Sequence, residues 1–511
     1  MPTKDVLDEV NSGIFDSTVT NFAAVKKTGE APADAAGEKD FTNPDAEKTS
    51  GATMFGEGSI GKVRFAGLAY MMQEEGTIDL TQNAGEFFSS PSARKFLEKK
   101  YGEKAEATQK EIAKLFSGDA TKATLADLTT HRSGIGDLTR DQLRLTAEKG
   151  VEHQFSIPEL LLIPEEHRGI PRDADGKPKA QGAGTAPDAD LPDAKHGEHQ
   201  YSNLGYMLLG LAMETAYDAK KNPSGENEIK DYQQLTRDYM LHPIEGPAKE
   251  KGLSFDDQTK FPDELEGCDV ARSSWLEKGK LVDPTKFSSA NAAGGIFVSA
   301  DDSVKFFDEF FKGFPGTPTA GVANVNPFFS DDTIAIMMAE GLKFGHCGVN
   351  HNPQTPARDG NKRFQCPGFV SEIDRTSGEP IAFEKSGGTC GYVSFLAFDV
   401  KSGQTTIDMC AQENVTGEIA KNLGVETKAL VEKYHDSKSG EFDRRKMIVA
   451  EMPELAATKT SAVGISEEVR EAVDAVLDAL RENGAGGAGV DATPANVAAA
   501  AAKSDAKGVG R

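Results

Sequence analysis

Residues 56–63 read Gly56-Glu57-Gly58-Ser59-Ile60-Gly61-Lys62-Val63, and the chain runs on as RFAGLAYMMQEEG to Gly76. From Val63 to Glu75 it is apolar on most sides and closes at a glycine, a pattern that predicts a buried helix with a glycine stop. Three chemistries compete for the glycine-rich segment at the start of that helix. As GxGxxGxV, through Gly56, Gly58, Gly61 and Val63, it matches a kinase phosphate loop. The pair His131-Arg132 is followed by Ser133, however, no His-Arg-Asp occurs and there is no Asp-Phe-Gly, so the base and the magnesium ligand of that chemistry are missing. As GxxxxGK it half-matches a P-loop, with Val63 where a Ser or Thr should coordinate magnesium. As S-x-x-K it puts Ser59 and Lys62 on one helix face, one turn apart. The helix dipole there favours negative charge near the hydroxyl, and a desolvated lysine is a base able to activate a serine.

The string recurs at Ser92/Lys95 and Ser504/Lys507. Ser92 precedes the polar run RKFLEKK, which reads as a surface helix, and Ser504 lies in an Ala/Gly-rich tail expected to be disordered. Ser59 alone opens a buried helix. No G-x-S-x-G elbow surrounds it, since Glu57 stands in the first position, and this argues against an α/β-hydrolase.

Other features bound the function. A formal charge of −24 over 511 residues repels phosphate backbones, so no nucleic acid partner is expected. The negative mean hydropathy and the lack of an apolar run near the roughly 18–20 residues that cross a bilayer predict no membrane span. The N-terminus MPTKDVLDEVNSGIF shows no basic region followed by an apolar stretch, so a cytoplasmic location is expected. Five cysteines without a CxxC pair suit reduced thiols. His346, Cys347, His351 and Cys366 cluster, but their spacing matches no common zinc module, so no metal or other cofactor is expected.

Further along, Tyr201-Ser202-Asn203 opens an apolar helix, Leu204 to Ala216, and puts a phenol and a carboxamide at a loop–helix junction; simple N-capping by Ser202 or Asn203 accounts for the motif equally well. Ser289-Ala290-Asn291 is a competing S-x-N string. K-[ST]-G occurs at Lys27, Lys385, Lys401 and Lys438. Lys27 falls in the turn-like KKTGEAP after a strand at Thr18–Val25, Lys401 lies in a hairpin turn, and Lys438 lies in a charged stretch. Lys385-Ser386-Gly387 ends an apolar strand, is followed by Gly388, and leads into a meander of Ile381–Lys385, Tyr392–Val400 and Thr405–Gln412. Small residues there let a substrate backbone approach an edge strand, and the Gly388 N–H can complete an oxyanion hole with that of Ser59.

With these motifs, and with LADLTTHRSGI at 125–135, YSNLGYMLLGLAME at 201–214, AAGGIFVSADDSVKFF at 292–307 and GGTCGYVSFLAFD at 387–399, the chain resembles the serine β-lactamase and penicillin-binding-protein superfamily. The likeness is to its class C β-lactamase, DD-peptidase and esterase branch, over about residues 50–413. It implies an α+β fold, an antiparallel sheet flanked by helices with a mostly helical lobe and the active site between the two. It also implies that Ser59 is acylated, that Lys62 and Tyr201 share proton transfer, and that Asn203 binds a substrate amide. Lys385 would attract a substrate carboxylate and favour tyrosinate at Tyr201, while Ser386, Gly387 and Gly388 line the substrate. An ester- or amide-cleaving serine hydrolase acting on a small molecule or peptide is the expectation, with a catalytically weak binding or assembly protein as the alternative.

The chain departs from that pattern in a short polar N-terminal region, in insertions near 81–120 and 149–199, and in the missing export signal, which favours an esterase or peptidase inside the cell. The expected organisation is a poorly defined segment 1–49 with a sheet-edge strand, a hydrolase domain 50–413, a helical extension 414–483 and a tail 484–511. The helix at Glu467–Leu480 is the candidate for homo-oligomer contacts.

Overall fold

The structure, a computed structural model, describes residues 24–27, 34–35, 49–137, 155–162, 195–224, 227–255, 257–271, 275–277, 280–282, 291–343, 361–389, 392–411, 433, 435–436 and 441–442. The helix expected at Glu467–Leu480, the tail, most of the loop 171–199, and Ser289, Ala290, His346, Cys347, His351, Cys390, Lys438 and Ser504 lie outside these residues. The chain divides into two compact units, one of Met1–Glu277 with Val282–Val415 and one of Lys278–Leu281 with Thr416–Arg511; all candidate site residues belong to the first.

In chain order, the elements that build the site region begin with strands β1 (Ala24–Lys27), β2 (Asp34–Ala35) and β3 (Met54–Gly56) and helix α1 (Gly61–Glu74). There follow helices α2 (Ala84–Ser89), α3 (Pro91–Tyr101), α4 (Ala105–Leu115), α5 (Leu125–Thr129) and α6 (Asn203–Lys221). The later part supplies β4 (Thr259–Lys260), β5 (Phe297–Ser299), α7 (Ala300–Phe310) and α8 (Asp331–Leu342). It closes with β6 (Lys362–Gln365), β7 (Val370–Ile373), β8 (Pro380–Thr389), β9 (Tyr392–Asp399) and β10 (Gln404–Cys410). Helices and an antiparallel sheet make the fold α+β, as the motifs imply.

Among the described residues the larger sheet has seven strands in the order β2-β1-β10-β9-β8-β7-β6, every neighbouring pair antiparallel. The expected meander is its centre. The N-terminal strand runs through Lys27 and pairs with β10, Ala24 opposite Met409, so the first K-[ST]-G string starts on a strand rather than in a turn. A three-stranded sheet, β3-β5-β4, lies at the entry to α1.

α1 is helical because nothing in it prefers otherwise and every residue from Gly61 to Met72 is buried, including Lys62 and Arg64. It stops where expected, at Gly76, whose N–H donates to Gln73 O. An aromatic layer joins α7 to the sheet: Phe311, just past the helix end, lies 5.1 Å from Phe383 on β8 and 4.9 Å from Phe398 on β9, ring centre to ring centre. Each such pair contributes about 0.5–1.5 kcal/mol beyond its buried area. The layer also shields the ion pair of Arg64 with Glu57, both side chains inaccessible to solvent, and the guanidinium lies 3.9 Å from the Phe306 ring centre. Ser92 is exposed on α3, the surface helix expected for that copy of S-x-x-K. The insertion at 81–120 folds as helices α2, α3 and α4.

Candidate active site

Ser59 sits in a single 3-10 turn, Gly58–Ile60, between β3 and α1. No side chain caps α1, so tertiary backbone contacts fix this turn instead. Gly58 has φ +53, a left-handed conformation costly for other residues, and a Cβ there would lie 2.7 Å from Gly388 N. A Cβ at Gly387 would overlap the Glu57 carbonyl oxygen and the Ser394 hydroxyl. That hydroxyl donates to Glu57 O at 2.7 Å. The two glycines of Lys385-Ser386-Gly387-Gly388 therefore admit the Ser59 turn onto β8. The reading of small residues as room for a substrate backbone misses this first use.

The Lys385 motif also does not end its strand, which continues to Thr389 paired with β9, Gly388 opposite Val393. On its other side β8 pairs with β7 only as far as Glu384. From Lys385 onward that side carries no β7 partner, so the strand is interior up to Glu384 and an edge beside the Ser59 turn.

The second helix to reach the site is α6. Ser202 is its N-cap, accepting from Gly205 N at 2.9 Å, so the capping use of Tyr201-Ser202-Asn203 is real. The motif also delivers its flanking residues to Ser59. The Tyr201 hydroxyl shares a 2.6 Å hydrogen bond with Ser59 Oγ. Lys62 Nζ donates to Asn203 Oδ1 at 2.8 Å and to the Ala293 carbonyl, and it lies 3.0 Å from Ser59 Oγ. Asn203 Oδ1 and Ala293 O can only accept, so two N–H groups of Lys62 are committed to them. What faces Ser59 is the remaining position: a third N–H in the ammonium, a lone pair in the neutral amine.

Burial decides between these forms. Lys62 is fully enclosed, and desolvation, reinforced by the positive charge of Lys385, holds its amine well below the ordinary lysine range, with Asp137 pulling the other way. Burial thus favours the neutral amine, with its lone pair toward Ser59. Burial brings Lys385 down to about 8. Its Nζ stands 4.9 Å from the centre of the Tyr201 ring, and Lys62 Nζ stands 5.0 Å from it. Tyr201 moves the opposite way from the expected tyrosinate: burial pushes its phenol above the ordinary value, outweighing the hydrogen bond from Ser59. Loss of water around the oxygen favours the protonated phenol over the tyrosinate.

Ser386 is partly exposed and Gly388 exposed on the edge segment of β8, with Gly387 buried beneath. Ser59, Tyr201 and Asn203 are partly exposed. Cys366 is buried, and among the described residues no group of three or more His, Cys, Asp or Glu is arranged to hold a metal. No described helix is long and apolar enough to cross a membrane.

Sequence reasoning missed three contributors. Ala293 acts through its carbonyl, which leaves no mark on residue type. His131 has φ +58, its Nδ1 accepts from Ser202 N at 3.2 Å, and its ring lies 4.4 Å from that of Tyr201. Its ring packs on the phenol. Asp137 accepts from both the backbone N and the side-chain Nδ2 of Asn203, at 3.0 and 3.2 Å. It lies two residues beyond LADLTTHRSGI, and its partner is 66 positions away.

No curated protein matches the chain. Among solved structures, a penicillin-binding protein from Bacillus halodurans aligns with TM-score 0.48 at 14% identity, over 83% of this chain and 98% of the other. The octameric penicillin-binding protein homologue from Pyrococcus abyssi gives 0.48 at 17%, over 86% and 83%. A D-amino acid amidase from Ochrobactrum anthropi SV3 gives 0.45 at 16%, over 80% and 91%. The sequence profile of the β-lactamase family matches residues 22–406, most of the chain, including the Ser59 turn, α6 and the Lys385 strand, and the chain belongs to that family.

Proposed function

We propose that this chain is a serine hydrolase that forms an acyl-enzyme on Ser59 and cleaves an ester or amide. The observation that carries the reading is the position of Ser59 Oγ between the Lys62 amine and the Tyr201 hydroxyl, at 3.0 and 2.6 Å. Lys62 takes the hydroxyl proton as Oγ bonds to the substrate carbonyl carbon. Tyr201 gives a proton to the departing alcohol or amine as the carbon–heteroatom bond breaks, and Lys62 reprotonates it. Water then attacks the acyl-enzyme by the reverse proton path and releases the acid. The backbone N–H groups of Ser59 and Gly388 are assigned to the oxyanion, and Asn203 and Ser386 to the substrate. Lys385, still charged below about pH 8, is assigned to a substrate carboxylate.

The test is turnover of a chromogenic ester and a chromogenic lactam, with intact-mass detection of the adduct, in wild type and Ser59→Ala. A wild-type adduct that Ser59→Ala lacks is the expected result. Absence of both turnover and adduct in wild type supports instead a catalytically weak protein that binds or assembles.

A further inference from the structure

We infer that Asp137 is a positioning residue: it fixes which end of the Asn203 carboxamide faces Lys62, and through that aims the reactive position of the Lys62 amine at Ser59. The inference rests on the hydrolase reading above and adds a residue to it. Ser202 already caps α6 through Gly205 N, yet Asp137 lays a second acceptor group across the same helix start. Its Oδ1 takes the backbone N–H groups of Asn203 and Leu204 at 3.0 and 3.2 Å, and its Oδ2 takes Asn203 Nδ2 at 3.2 Å. A carboxylate accepts only, so the end of Asn203 that faces it must be the NH₂ and the end that faces Lys62 must be the carbonyl oxygen. With Ala293 O as the other obligate acceptor, both N–H groups of a neutral Lys62 are used and the lone pair is left on the Ser59 side.

Turning the Asn203 amide over would put two donors face to face at Lys62 and leave the lone pair drawn toward Asn203 instead. The carboxylate is what opposes this. The groups facing Lys62 are then Ser59 at its own helix start, Tyr201, Asn203 and Tyr206 from the α6 side, Lys385 on β8, and the Asp137 charge behind Asn203.

Asp137→Asn separates this role from capping, because its carboxamide oxygen still accepts from the helix amides while its NH₂ opposes that of Asn203. Expected for this variant are a melting temperature close to wild type and ester-probe acylation about 10- to 100-fold slower, the scale of losing near-attack geometry. KM should stay within about twofold. The midpoint of the Lys62 13Cε NMR titration, assigned with Lys62→Arg, should move to lower pH, with the acid limb of the rate moving the same way, because a negative charge is gone. Asp137→Ala should lower the melting temperature as well. An Asp137→Asn protein with wild-type acylation rate and an unmoved Lys62 titration overturns the inference. If wild type and Ser59→Ala are equally inert to the probe, the hydrolase reading fails instead, and the Lys62 titration alone decides whether Asp137 acts on the amine.

Discussion

The helical side of the cleft and its strand side are held by different means. On the helical side the contacts are side chain to side chain or side chain to backbone: Tyr201 on Ser59, Lys62 on Asn203 and Ala293, Asp137 on Asn203, Ser202 on the α6 amides. On the strand side the close approaches are to backbone, Gly387 and Gly388 against Glu57 and Gly58, joined by the Ser394 hydroxyl on the Glu57 carbonyl, and Lys385 reaches over the face of Tyr201. Proton transfer requires donors and acceptors fixed to a few tenths of an ångström, which a network of mutually satisfied side chains provides. An oxyanion and an extended substrate require backbone N–H groups and open space, which side chains would obstruct. On the proposed hydrolase reading, the two sides thus divide chemistry from accommodation.

The most damaging way to break this division is at the seam. Gly58→Ala imposes a left-handed alanine whose Cβ falls 2.7 Å from Gly388 N, and should cost about 2–4 kcal/mol in strain and overpacking. Serine-probe labelling should fall at least about 100-fold; wild-type melting and labelling in this variant would show that the backbone contact does not position Ser59. A second test sharpens the role of the strand side. Lys385 keeps its charge below about 8 and loses it above, so kcat/KM for a carboxylate-bearing ester should decline above about pH 8 while that for a matched neutral ester does not. Parallel profiles for the two esters would remove Lys385 from carboxylate recognition. The smallest effect is expected from Ser202→Ala, which deletes one of two acceptors at the α6 start. A loss of about 1 kcal/mol by denaturant unfolding, with acylation changed less than about threefold, is expected because Asp137 still holds Asn203. A large fall in rate would mean that capping and catalysis are not separable there.

Much of this was legible in the sequence where a signal is local. The apolar run from Val63 to Glu75 foretells a helix because burial on all sides leaves no other fate for it, and Tyr392–Val400 foretells a strand by its β-branched and aromatic content. Ser59, Lys62, Tyr201 and Asn203 could be named because each stands at a helix start with a recognisable neighbour. What escaped depends on partners distant in the chain. Gly387 and Gly388 read as the end of a strand, since nothing nearby reveals that Glu57 presses on them. Asp137 reads as one acid among 81 Asp and Glu residues until α6 is brought over it. The upward push of burial on Tyr201 escaped for a related cause: charge can be counted from a sequence, whereas loss of water cannot.

Because Gly58 and Gly388 meet main chain to main chain, that contact beside Ser59 has no side chain that selection can repack. Variation in what this cleft accepts must therefore be inherited through its surroundings, from the loops and helices around the turn, while the turn itself passes unchanged. A mutational scan of the chain should record this as a narrow band of intolerance at Gly58, Gly387 and Gly388 inside a more permissive rim.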